Sequence, residues 1–126
     1  MAKVFVEKEG NSRLRMVNTT DAAIEKGDFA VLGSISGVAL EKVAPGATGA
    51  FHVEEGLLFQ ISASNVGGGL TNMETANGLV YFDMANGTFH GAAAGGEIVG
   101  QVIEPLRGGV VRAAKFFRTY PQQGGA

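Results

Sequence analysis

Two histidines and a set of carboxylates are the side chains of this chain that could support chemistry. His52 and Glu54 lie two residues apart on a predicted strand, so their side chains would share a face and could orient a base or begin a metal site. His90 is distant in sequence, and no third ligand is evident. The simpler interpretation is a surface charge pair. We therefore predict no metal site and no cofactor.

Asp28 and Asp83 are a second candidate pair, for general acid and base catalysis. Both stand beside predicted turns, where aspartate accepts hydrogen bonds from nearby backbone amides. The segment 33–37 places Ile35 where a nucleophile elbow requires serine. The glycines at 67–69 lack the Gly-Lys-Ser/Thr ending of a phosphate loop. We therefore predict no catalytic residue and no enzyme activity.

The C-terminal segment interleaves aromatic and basic side chains, a pattern that can bind a nucleic-acid strand. Residues 1–105 hold six Lys/Arg and twelve Asp/Glu, a net charge of 6 − 12 = −6, whereas residues 106–126 hold four Lys/Arg and no acid. Because an acidic body repels phosphate, we predict no direct contact with nucleic acid. We favour a last strand whose aromatic residues pack in the core or in a subunit interface. Its cations would complement acidic groups of the same or a neighbouring subunit.

The elements that would position these residues are short strands. Runs rich in Val, Ile and Phe alternate with glycine-containing turns, and helical periodicity is nowhere convincing. Pro45-Gly46 has the residue order of a type II turn, and Asn86-Gly87 between two apolar runs is a strong hairpin signal. We predict an all-β fold, a small β-barrel or tulip-like domain of nine or ten short strands.

The predicted domain spans residues 1–117, of which 1–9 form an N-terminal arm, and residues 118–126 form a flexible tail. An internal repeat supports one β domain, because the segment 26–41 has a looser copy between residues 78 and 104. The repeat matches Gly27, Phe29, Val31, Ile35, Gly37, Val38, Leu40 and Glu41 with Gly78, Val80, Phe82, Ile98, Gly100, Gln101, Ile103 and Glu104. We interpret Gly27, Gly37 and Gly100, with the two turns above, as scaffold and not as a site.

Composition narrows the class of protein further. Cysteine is absent, which excludes disulfides and thiolate metal ligands. No apolar run approaches the roughly 18 residues that cross a bilayer, and the first residues lack a signal-peptide pattern, so we expect no membrane partner. Charged residues make up 17% of the chain, against a usual share of about 25%. Either a neutral Gly/Ala-rich surface is exposed, or, as we favour, surface is buried against other subunits or a larger partner.

The order of short motifs along the chain resembles the phage capsid cement, or head decoration, family. The resemblance covers roughly residues 3–117 and lies in the succession of glycine-driven motifs. These are Gly27-Asp28 with an apolar strand, Gly37-Val38-Ala39, the element from Val53 to Phe59, the element from Gly78 to Asp83, and Ile98 to Val102. This chain departs from the pattern in the insertion of Val99, in the two glutamates before Gly56, and in the longer aromatic and basic ending.

The resemblance implies a structural protein of the virion, made in the host cytoplasm and located on the outer surface of an icosahedral head. It implies a homotrimer that contacts the major capsid protein and staples neighbouring capsid subunits. A clamp that binds only the expanded shell stabilises that state by linkage. The alternatives are another virion module, such as a head fibre or tail component, and less favourably a ligand-binding barrel or enzyme.

Contacts with capsid or with a second subunit are expected from three segments: the N-terminus, the polar loop 62–77 and the basic C-terminal strand. The candidate contact residues are Val4, Phe5, Asn65, Val66, Leu70, Met73, Arg112, Lys115, Phe116, Phe117, Arg118 and Tyr120.

Overall fold

Strands and turns make up the computed structural model of the chain, which describes residues 2–7, 12–68, 77–91 and 96–120. The described residues contain eleven strands and one 3-10 turn, Ala63–Asn65. The strands are β1 Phe5–Val6, β2 Arg13–Val17, β3 Phe29–Leu32, β4 Ile35–Ala39, β5 Thr48–His52, β6 Leu58–Ser62, β7 Val66–Gly68, β8 Leu79–Asp83, β9 Thr88–His90, β10 Glu97–Arg107 and β11 Val110–Tyr120. The all-β prediction is confirmed. The additional strand is β7, which lies in the segment predicted as a loop.

The strands form one mixed sheet with two halves. The larger half has the order β1-β6-β11-β10-β8-β9-β7, and the smaller half has the order β2-β5-β4-β3. Pairing of Ile35 on β4 with Arg118 on β11 joins them. Among the described strands, β7 and β9 form the one parallel pair. The ladder of strands does not close on itself, so the predicted barrel is an open sheet folded over its core. In the described residues, no helix is long and apolar enough to cross a membrane.

The main core lies between the two halves. Four buried phenylalanines, Phe29, Phe59, Phe82 and Phe89, pack there with ring centroids 4.7 to 6.0 Å apart. Such edge and offset contacts add to the stabilisation from burial. A second, smaller core covers the other face of the smaller half. Strand β3 is therefore buried on both faces, which explains why its sequence is a continuous apolar run.

The turns have the backbone conformations that their residues favour. Gly46 has a φ of +79°, and the amide of Ala47 donates to the carbonyl of Ala44 at 3.0 Å, as a type II turn requires. The segment 84–87 connects β8 to β9 with Gly87 at φ +67°. Strands β10 and β11 are longer than predicted, because the turn between them is only Gly108-Gly109, both at positive φ.

Pro105 lies inside β10, although a proline cannot donate to a strand ladder. The pairing of β10 with β11 shifts register between Glu104 and Arg107, and a proline is tolerated at such a bulge. At the other end, β11 continues to Tyr120. The segment predicted as a tail from residue 118 therefore begins inside the strand, where the amide of Thr119 donates to the carbonyl of Ser34 at 2.8 Å.

The N-terminal segment bridges the gap between the two halves. The amides of Phe29 and Val4 donate to the carbonyls of Ala2 and Gly27 at 2.9 and 3.0 Å, beside β3. Phe5 and Val6 then pair with β6 of the larger half. Residues 2–7 of the predicted arm are thus docked in the fold, and they span the place where the ladder is open.

Both copies of the internal repeat are antiparallel strand pairs. Strands β3 and β4 form one pair, and β8 and β10 form the other. Gly37 and Gly100 occupy tight sites against a neighbouring strand, since a Cβ at Gly100 would lie 2.5 Å from the carbonyl oxygen of Ala114. The second pair is offset by a register shift between Ile98 and Gly100. The repeat therefore describes the scaffold.

Candidate functional site: two contact surfaces

Strand β11 carries six of the twelve predicted contact residues, and it passes a point where the sheet divides. Its pairing with β6 ends at Ala114, and its pairing with β4 is at Arg118. In between, β5 pairs with the same edge of β4 at Val38 and Ala39. Backbone carbonyls at this divergence need donors from outside the ladder. The side chain of Lys115 provides them.

The ammonium of Lys115 is buried, with 0% of the residue exposed. It donates to the carbonyls of Ser36, Val53 and Phe116 at 3.0, 3.0 and 2.9 Å, which ties β4, the end of β5 and β11 together. Burial lowers the pKa of Lys115 to about 8, opposed by the nearby negative charge of Glu55. The prediction that Lys115 contacts a partner is therefore wrong, because its side chain is buried and hydrogen-bonded within the fold.

Arg112 is on the opposite face of β11 and is also bound within the chain. Its Nε and Nη2 donate to the two carboxylate oxygens of Glu7, both at 2.7 Å, and its Nη1 donates to Glu104 at 2.9 Å. The hydrogen bonds from Arg112 lower the pKa of Glu7, and those to Glu7 and Glu104 raise the pKa of Arg112. This fork-shaped pairing holds the N-terminal segment against β11. The expectation that the basic strand complements acidic groups of its own chain is met at this residue.

Phe5 is the most exposed large apolar residue on the described surface, at 64%. It is in a cross-strand row with Gln60 and Arg112. One shallow groove of about 320 Å³ beside its ring is lined by Lys3, Val4, Gln60, Ser62 and Val110. A second groove of about 210 Å³, on the side of β4, includes Gly27, Leu40 and His52. We call Phe5 with these two grooves the Phe5 surface.

The end of β11 forms a separate surface. Tyr120 is 50% exposed, and its ring meets that of Phe116 edge to face with centroids 6.0 Å apart. Arg118 is exposed beside them, and its Nη1 donates to the hydroxyl of Ser34 at 3.4 Å. Phe117 is half-buried against the smaller core. We call Phe116, Arg118 and Tyr120 the Tyr120 surface.

The predicted contact residues therefore fall into two clusters and several internal positions. Eight residues separate Arg112, in the row of Phe5, from Tyr120, which is roughly 25 Å along an extended strand. Val4 and Val66 are partly buried against the main core, and Asn65 donates its amide to the carbonyl of Lys3 at 3.2 Å. Leu70 and Met73 lie outside the described residues.

The candidate catalytic residues are not brought together into a reactive site. His52 is buried at the end of β5, and the side chain of His90 contacts the hydroxyl of Thr88 at 2.9 Å. Asp28 and Asp83 accept backbone amides of Glu25 and Ala85 at 2.8 and 3.0 Å, as turn residues do. Among the residues that the structure describes, no three His, Asp or Glu side chains are grouped to hold a metal ion.

Sequence reasoning missed the residues that shape the Phe5 surface, namely Gln60, Ser62 and Val110, and the Ser36 carbonyl that holds Lys115. These positions become neighbours through the pairing of β1, β6 and β11. Strand pairing between segments that are distant in sequence cannot be predicted from a single amino-acid sequence. The exposure of Phe5 itself follows from its alternation with Val4 and Val6, which face the core.

Comparison with known families identifies one match. The model of the phage cement protein family matches residues 8–115, which include strands β2 to β10 and half of β11. Searches of curated proteins and of solved structures give no match. The match agrees with the resemblance found in the order of the glycine-driven motifs. This chain therefore belongs to the phage cement protein family, whose role is the structural stabilisation of a phage capsid.

Proposed function

We propose that this protein binds the outer surface of an icosahedral phage head as a homotrimer and joins neighbouring major capsid protein subunits, without catalysis. The observation that carries the proposal beyond family membership is the presence of two separate exposed aromatic surfaces, around Phe5 and around Tyr120. A cementing subunit must contact both a sibling and the shell. Exposed aromatic side chains are the usual anchors of such interfaces.

The low charge of the chain supports the same proposal. Only 17% of the residues are charged, and Arg112 and Lys115 are bound internally. The cations that remain at the two surfaces are Lys3 and Lys26 near Phe5 and Arg118 near Tyr120, so few charges must be desolvated when the protein docks. Burying an unpaired charge at an interface costs several kcal/mol, roughly. Polar and apolar residues near Phe5 therefore suit a stable contact better than a strongly charged surface would.

The direct test is sedimentation of the purified protein with expanded heads that lack it. We expect saturable binding at micromolar protein and a trimer mass by light scattering. Phe5→Ser and Tyr120→Ser should each weaken head binding by about tenfold or more, the loss expected for an aromatic anchor. Leu79→Ser is the matched control, because Leu79 is 40% exposed but belongs to neither surface.

Failure to co-sediment at any accessible concentration would reject the capsid-binding proposal. Equal loss of binding by all three variants would show that neither aromatic surface is specific. Protection of the heads against heat or chelation, measured with and without the protein, then tests stabilisation separately from binding.

A further inference from the structure

Strand β2 is a terminal strand of the sheet, and among the described residues it pairs only with β5. The amide of Val53 donates to the carbonyl of Ser12 at 3.1 Å, and that of Asn18 donates to Ala47 at 2.8 Å. These two bonds show which residues of β2 direct their backbone N–H and C=O groups toward β5 and which direct them away from it. Backbone groups of Leu14 and Met16 face β5, and those of Arg13, Arg15 and Val17 face outward.

The side chains of β2 give this open edge a distinct pattern. Arg13, Arg15 and Val17 are exposed on one face of the strand. On the other face, Met16 is buried in the smaller core and Leu14 is 37% exposed beside it. Arg13 has no ion-pair partner in the part of the chain that the structure describes. Arg15 is 4.0 Å from Glu41, and both side chains are more than half exposed, so that pair is weak.

Charge decides which kind of strand can add to this edge. A second copy of β2, paired antiparallel about Arg15, would place arginines opposite or diagonal to one another, which is unfavourable. An acidic residue at every second position would instead meet Arg13 and Arg15. The intervening side chains would lie next to Leu14, where apolar residues extend the smaller core.

We propose that the outer edge of β2 binds, by strand addition, an extended segment of a partner protein in which acidic and apolar residues alternate. Main-chain hydrogen bonds to Arg13, Arg15 and Val17 supply the attachment, and the two arginines select the sequence. This inference deepens the proposed function, and rests on it for the source of the segment, which would be an exposed strand of the shell subunit.

The test uses a labelled peptide of about ten residues that alternates Glu with Val, and a matched peptide with Lys in place of Glu. Fluorescence anisotropy should show binding of the Glu peptide only, weakened by salt. Arg15→Pro removes an outward amide without touching the β5 ladder, a change that edge strands tolerate, and should reduce binding by at least about tenfold. The double variant Arg13→Glu, Arg15→Glu keeps the backbone and should prefer the Lys peptide.

Arg107→Glu, on β10, is the control, because Arg107 is exposed and belongs to neither contact surface, and this variant should bind the Glu peptide as the original chain does. The inference is overturned if the Glu peptide fails to bind at about 1 mM, or if the double variant binds it unchanged. Head binding distinguishes the two proposals. If heads bind the original chain and the double variant equally well, the edge of β2 is not the shell contact. If the chain binds the Glu peptide but does not bind heads, only the capsid function is rejected.

Discussion

Lys115 and Arg112 are three residues apart on one strand, yet their surroundings differ in every respect. Lys115 faces the interior and is held by three backbone carbonyls. Arg112 faces outward, with 34% of its side chain exposed, and is held by two carboxylates. A basic strand is therefore not one electrostatic surface. Alternation sends successive cations to opposite faces, and here both are used to join segments of the fold.

The two cations also stabilise different junctions. Lys115 secures the fork where β4, β5 and β11 diverge, and Arg112 secures the N-terminal segment through Glu7. The first junction is buried and the second is partly exposed. Removing Lys115 and weakening the Arg112 clamp should therefore lower the free energy of unfolding by different amounts and with different pH dependences.

The largest effect is expected from Lys115→Ala. The change leaves a cavity and removes the donor from three buried carbonyls, which together should lower the free energy of unfolding by about 3 kcal/mol. Lys115→Met keeps most of the volume and removes the buried charge, so it should be less destabilising. Urea unfolding of both variants measures the difference. An alanine variant as stable as the original chain would show that the carbonyls do not need this ammonium.

The two junctions should also differ in how stability depends on pH under alkaline conditions. The unfolded chain holds the Lys115 proton up to a pKa of about 10.5, whereas the folded chain releases it at about 8. The unfolded state therefore binds more protons between these values, and the Lys115 contribution to stability rises with pH across that window. At 1.36 kcal/mol per pKa unit, the rise amounts to at most about 3 kcal/mol. Unfolding curves at several pH values should show it for the original chain and not for Lys115→Met.

Much of the fold follows from the sequence, because alternation and turn residues are local signals. The Asn86-Gly87 connection, the Pro45-Gly46 turn and the buried strand β3 are examples. Strand β7 could not be predicted, because Val66-Gly67-Gly68 is short and lacks apolar alternation. It forms a strand by pairing with β9, which is distant in the sequence.

The fate of Lys115 could not be predicted in the same way. A lysine beside Phe116 and Phe117 in a basic segment indicates a surface residue. Its burial depends on where β6 ends, where β4 begins to pair and which carbonyls the fork leaves open. These are properties of long-range register, and no local pattern contains them.

A smaller effect is expected from Glu7→Gln, which weakens the Arg112 clamp at the partly exposed junction. Hydrogen bonding by Arg112 lowers the pKa of Glu7 below its usual 4.5. Its contribution is therefore present above that value and is lost as the pH falls through the lowered folded pKa. The stability difference between the original chain and Glu7→Gln should be measurable at pH 7 and close in acid. Glu25→Gln is the control, since Glu25 is in an exposed pair with Lys42 at 3.9 Å. A similar acid dependence for both variants would contradict a special role for Arg112.

The smallest effect on stability is expected at Arg118, the third cation of the same strand. Its side chain is exposed and donates a long hydrogen bond to Ser34, so Arg118→Ala should change the free energy of unfolding by less than about 0.5 kcal/mol. Because Arg118 belongs to the Tyr120 surface, the same variant should still weaken binding to expanded heads. Thermal unfolding and sedimentation on one preparation separate these effects. A destabilised variant would show that Arg118, like Lys115 and Arg112, serves the fold, and unchanged head binding would place the shell contact away from the end of β11.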